Sequence, residues 1–157
     1  MGKIKVGGIL KRTGLTKLGV MSAPDRPGIA STVFEALGKA GLNVEFIIVG
    51  IDLTNHTHVI LCVAEEYADE AQRVLEEVKT AVGARAVVRQ DHIAVISVFG
   101  PDFRERPAIA GTVFGALASA GINILAVSTS ISTISCVIDS DKLEEAIKAL
   151  EQAVETP

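Results

Sequence analysis

Three residues near the start of the chain could together hold a small charged molecule. Asp25 offers a carboxylate, Gly28 a backbone without Cβ, and Asn43 an amide that both donates and accepts. Asp25 opens the segment D-R-P-G-I-A-S-T-V-F, in which Pro27 suits the first turn of a helix because its missing N–H costs nothing there. The N–H groups of Gly28, Ile29 and Ala30 at that helix start can bind a carboxylate. Gly28 lets a ligand approach the backbone closely. An anion acceptor beside a cation acceptor is what a free amino acid requires. A plainer reading of the same residues stays open: Asp25 fixes the turn, and Asn43 caps the strand that follows.

The segment occurs twice. Residues 106–124, R-P-A-I-A-G-T-V-F-G-A-L-A-S-A-G-I-N-I, match the first copy at an offset of 80, pairing Pro27 with Pro107, Phe34 with Phe114, Gly41 with Gly121 and Asn43 with Asn123. An ungapped repeat of this kind predicts two copies of one structural unit.

The elements that must position these residues can be read from apolar spacing. In the first copy, residues 15–22 form a strand, and Ile29, Val33, Ala36, Leu37 and Ala40 share one helix face until Gly41 stops it. Residues 44–51 and 56–64 are strands around a turn at Thr54-Asn55. Ala71, Val74, Leu75, Val78 and Val82 mark a second amphipathic helix, and residues 85–89 a last strand. The order β-α-β-β-α-β predicts an α+β, ferredoxin-like unit, an antiparallel sheet with helices on one face. The second copy runs from strand 92–99 through a solvated loop 100–106, helix 107–120 and strands 122–129 and 133–139 to a helix 141–154 capped by Asp141. It lacks a fourth strand, and residues 4–10 are a spare one. The economical arrangement inserts the first unit (residues 11–90) within the second (residues 3–10 with 91–155), which closes an open sheet edge.

The 157 residues carry a net charge of −4 and no basic block, which excludes electrostatic attraction to nucleic acid. No apolar run reaches the ~20 residues that span a bilayer, and the N-terminus is charged where a signal peptide needs an apolar core. Cys62 and Cys136 lie inside apolar strands, as reduced core residues of a cytoplasmic protein do. A composition 48% hydrophobic yet 4% aromatic points to an aliphatic core with subunit contacts besides.

Other functions of this fold fit poorly. Base stacking needs aromatics on the central strands, where Ile, Val and Ala stand instead. A metal-carrying version needs paired cysteines before the first helix. Acyl-phosphate hydrolysis needs an arginine in a glycine-rich loop, whereas the loops of Arg26 and Arg106 are rich in proline and acid. His56 and His58 share one strand face but have no third ligand nearby in sequence, and are read as solvent-facing polar residues. No acid, base and nucleophile converge, so neither catalysis nor a cofactor is expected.

The first copy, D-R-P-G-I-A-S-T-V-F-E-A-L-G-K-A-G-L-N-V, resembles the first ACT domain of aspartokinases. The second, with Ile122-Asn123-Ile124 leading to Val127-Ser128-Thr129-Ser130, resembles their second. The resemblance implies one ACT domain inserted in the other, a homodimer formed through the ACT sheets, and binding of threonine or lysine for feedback inhibition of aspartate-family biosynthesis. It also implies a catalytic aspartokinase chain as partner, because 157 residues match the short regulatory chain of that enzyme, or an excised part of it. The alternative is a stand-alone ACT sensor or assembly module. Carried over, the effector contacts are Asp25, Gly28, Ile29, Ala30, Asn43 and Val44 on one side and Pro107, Ala108, Ile109, Asn123 and Ile124 on the other. The chain departs from the family at Val49, Ala108, Ile131 and Thr133, which makes the second effector site the poorer one. Lys5-Val6-Gly7-Gly8 superficially resembles the opening of the kinase domain and is read as coincidence.

Overall fold

A computed structural model describes residues 2–157. The chain divides into two compact units, one of Gly14–His92 and one of residues 2–13 with residues 93–157. The sequence reading placed these boundaries at 10/11 and 90/91.

In the Gly14–His92 unit the elements are β2 (Gly8–Pro24, which enters from the other unit), α1 (Ile29–Lys39), β3 (Phe46–Ile51), β4 (His56–Ala64), α2 (Ala68–Val82) and the first half of β5 (Ala86–Phe99). Strand order is β3-β4-β2-β5. Helix α1 forms because Ile29, Val33 and Leu37 recur at helical spacing, and these are the residues it buries. They meet Leu18, Val20, Val59, Leu61 and Leu75 in one aliphatic core.

The second unit repeats the plan with the end of β5, α3 (Ile109–Ser119), β6 (Ala126–Thr129), β7 (Thr133–Asp139) and α4 (Leu143–Ala153). Its sheet order is β2-β5-β7-β6, so the N-terminal part of β2 stands where the second copy lacks a strand. Helix α3 buries Ile109, Val113 and Leu117, the counterparts of the α1 residues. The fold is the pair of ferredoxin-like units that the repeat predicts.

Several details differ from expectation. The two strands predicted at 4–10 and 15–22 are instead a short β1 (Ile4–Lys5) and the long β2, and those predicted at 85–89 and 92–99 are one strand, β5. No chain reversal interrupts either; Gly14 and His92, at the unit boundaries, take positive φ of 67° and 55° without ending their strands. Asp141 is not a cap. The Asp139 side chain accepts the Asp141 N–H, a 3-10 turn Ser140–Lys142 follows, and α4 starts at Leu143. Val154 leaves the helix to form β8 (Val154–Glu155), parallel to β1 through the pair Ile4 and Val154. Gly7 and Gly8 have a structural reason: a Cβ there would stand 2.9 and 2.8 Å from the Phe99 ring.

Both cysteines are free thiols, and burial pushes them up to about 12 for Cys62 and about 11 for Cys136. Among the described residues no helix is long and apolar enough to cross a membrane.

Candidate functional site

The Asp25 loop is built by the end of β2 and the start of α1. A register shift between Val20 and Ala23 bulges β2, and Pro24 then pairs with His56. The Asp25 N–H donates to Asn55 O at 3.0 Å, and Thr57 Oγ1 donates to Asp25 Oδ1 at 3.1 Å. One carboxylate oxygen is thereby positioned, and the side chain remains exposed. Arg26 turns away, its guanidinium donating to the Ala81 carbonyl. Gly28 precedes α1 with φ of 101°, a conformation L side chains rarely adopt, and no side chain caps the helix start. Its carbonyl is crowded instead, accepting from Thr32 N, Ser31 Oγ and Thr32 Oγ1. Uncapped N–H groups thus lie at the helix entry, three residues after Asp25.

Asn43 and Val44 are not at this corner. Phe46 pairs with Cys62, which pairs with Lys17, whereas Ile51 pairs with Thr57, which pairs with Ala23. Asn43 therefore lies level with or beyond Lys17, roughly 20 Å along the sheet from Asp25 at 3.3 Å per residue. The second copy has the same geometry. Pro107, Ala108 and Ile109 follow the Phe99 end of β5. Asn123 and Ile124 precede Ala126, which is level with Val137 and Val95. Within a unit, then, the sequence-predicted residues form two corners at opposite sheet ends.

The two loop corners are unequal. In the second copy Ala108 has φ of −86°, ordinary helical backbone, and the Ile109 N–H already donates to Arg106 O. The connection is not the solvated loop expected at 100–106. Phe103 is 7% exposed, its N–H donates to Ile131 O, and it sits in a 3-10 turn Phe103–Glu105. Arg104 clamps Asp102, which holds that carboxyl below its ordinary value, and Arg106 donates to Lys5 O at 2.7 Å. Ile131 is exposed, and with Phe103, Ile109 and Thr129 it lines a hollow of about 210 Å³.

Sequence reasoning missed Asp52. Its Oδ1 accepts from Thr54 N, Thr54 Oγ1 and His56 N, and its Oδ2 lies 2.8 Å from His58 Nε2. This bonding, His58 foremost, holds the Asp52 carboxyl far below its ordinary 3.8. The only signal in the sequence was an acid two residues before Thr54, the spacing of an Asx turn. His56 and His58 are accordingly not simple solvent-facing residues but parts of this turn. A hollow of about 400 Å³ beside it is lined by Ser22, Pro24, Asp52, Thr54, His56, Gly83 and Arg85. Among the described residues no cluster of three or more His, Cys, Asp or Glu is placed to hold a metal.

Comparison with known proteins agrees with this architecture. ACT domain models match residues 17–83 and 96–154. An aspartokinase of Thermus thermophilus is 36% identical over 141 residues, covering 88% of this chain; the chain spans only 35% of that protein's length. The regulatory subunit of aspartate kinase from Thermus flavus superposes with a TM-score of 0.87 at 32% identity, covering 95% of this chain and 98% of that one. A chain from the structure of aspartokinase alpha and beta subunits superposes at 0.86 with 28% identity, covering 94% and 97%. Two ACT matches in tandem, and a regulatory subunit matched almost end to end, place this chain in the family of aspartate kinase regulatory subunits built from ACT domains.

Proposed function

We propose that the chain is a non-catalytic, amino-acid-binding regulator of an aspartate kinase, with the Asp25 loop as its principal effector contact. The observation that carries this reading is the uncapped, Gly28-initiated helix start that follows the exposed Asp25 by three residues. Backbone N–H groups there suit the effector's carboxylate and Asp25 its ammonium. The family resemblance favours threonine or lysine as the effector, with feedback inhibition as the outcome.

The sheet ends bearing Asn43 and Asn123 lie too far from the loops of their own units to share one small ligand with them. A contact set drawing on both ends is completed by a second copy of the chain, which fits a homodimer formed through ACT sheets. In that dimer the Ala108 corner, whose first helical N–H is already taken, is the poorer site. The effector then stabilises one arrangement of ACT domains over another, and that difference in affinity biases the catalytic partner.

Asp25→Ala tests this reading. Binding of threonine or lysine should weaken by about tenfold, the loss of a charge-assisted hydrogen bond, while the thermal midpoint stays nearly unchanged. A variant that loses its fold instead assigns Asp25 to fixing the turn.

A further inference from the structure

Both ring nitrogens of His58 are engaged. Nε2 stands 2.8 Å from Asp52 Oδ2, and Nδ1 accepts the backbone N–H of Ser22 at 3.1 Å. A nitrogen that accepts an N–H carries no proton itself, so the ring is the neutral tautomer that donates from Nε2 to Asp52. The donor is unusual. Ser22 is not glycine yet has φ of 59°, a conformation that costs free energy unless surrounding contacts hold it. It lies in the β2 bulge, three residues before Asp25. Met21 O, the neighbouring acceptor, is tied to Arg85 N, and Asp25 N to Asn55 O in the turn that Asp52 organises.

We propose that His58 is a protonation-sensitive latch. Its neutral form holds Ser22 in the bulge, and with it the Asp25 loop; a proton taken up at Nδ1 releases both. The imidazolium presents N–H at each nitrogen, so donor would face donor at Ser22, whose N–H must turn away. Nε2 keeps Asp52 as a charged partner. The latch is therefore closed while the ring is neutral and open once it becomes an imidazolium.

The titratable and charged groups of the elements packed around this turn are Asp52, His56 and Arg85. The β3–β4 turn brings Asp52. Strand β4 brings His56, whose Nδ1 is 2.9 Å from Thr54 Oγ1. The connection from α2 to β5 brings Arg85, which shares the polar hollow with Asp52 and His56. Strands β2 and β3 line a further hollow with His58 and Asp52 through the uncharged Met21, Ile48, Gly50 and Ile51. Asp25 is turned to Thr57.

Only the regulatory consequence, weaker effector binding at low pH, rests on the proposed function; the latch itself does not. An NMR titration of the ligand-free chain from about pH 8 to about pH 5 follows the His58 ring and the Ser22 amide together. The Ser22 resonance should move with the midpoint of the ring, and its exchange protection should drop about tenfold below it. In His58→Gln the amide side chain can accept from Ser22 and donate to Asp52 without titrating, so Ser22 should stay put. A Ser22 amide that ignores the ring, or titrates equally in His58→Gln, overturns the latch whether or not any amino acid binds. If Ser22 does follow the ring, the latch stands even where no amino acid binds, and only the proposed function fails.

Discussion

At residue scale, Gly28 and Ala108 show how two aligned positions come to do different things. The repeat matches them, but Gly28 has φ of 101° and Ala108 −86°. The left-handed turn exposes the helix start in the first copy, and ordinary helical backbone closes it in the second. A methyl on Gly28 has room, its nearest neighbour being Ser31 Oγ at 3.9 Å, so the cost of Gly28→Ala is conformational. Urea unfolding should show a loss of about 1 kcal/mol or more, whereas Ala108→Gly leaves the second loop in its present shape. Asp52 makes the second residue-scale prediction. Its folded-state value lies below the ordinary 3.8, so its stabilisation is fully present above that pH and fades as pH falls through the depressed value. Between about pH 5 and pH 2 the urea midpoint of the native chain should therefore fall more steeply than that of Asp52→Asn. Equal slopes would detach Asp52 from the stability of its turn. The difference at Ala108 was legible as an alanine where the first copy has glycine, but the value of Asp52 was not. The negative φ at Ala108 is what a residue with a Cβ ordinarily adopts, and the value of Asp52 depends on a histidine from the facing strand.

At the scale of elements, helices and strands could be read because their apolar residues recur at the periods of buried faces. The ends could not. Residues 11–14 and 90–92 contain polar residues and a glycine that imitate turns, but they belong to the single strands β2 and β5. Asp141 imitates a cap because the actual cap, Asp139, also closes the preceding strand. The near-continuous apolar run of strand β3 has no sheet neighbour on one side. It is an edge strand whose Ile47, Val49 and Ile51 are 48%, 45% and 60% exposed in the single chain. Such an apolar edge invites pairing with another sheet. If the proposed homodimer uses it, Val49→Lys should sediment at half the mass of the unmodified chain. Because the side chain is half exposed, folding stability should change by no more than about 0.5 kcal/mol. An unchanged mass would move the dimer contact elsewhere.

For the whole molecule, the ungapped repeat at an offset of 80 carried the two-unit organisation, and the missing fourth strand carried the placement of the N-terminal residues. The candidate corner was only half legible. Helix starts and strand starts that look adjacent in the sequence lie at opposite ends of a ferredoxin-like sheet, because a helix intervenes and returns the chain to the far end. That geometry makes the proposed effector site a property of assembled copies, with Asp25 and Gly28 on one side. A ligand bound only by the folded, assembled state also stabilises it by mass action. Calorimetric titration of the chain with threonine, lysine and the other common amino acids tests this most directly. Saturable heat with threonine or lysine, weakened about tenfold in Asp25→Ala, is the predicted result. Heats of dilution alone with every amino acid would contradict the account and leave a structural ACT module.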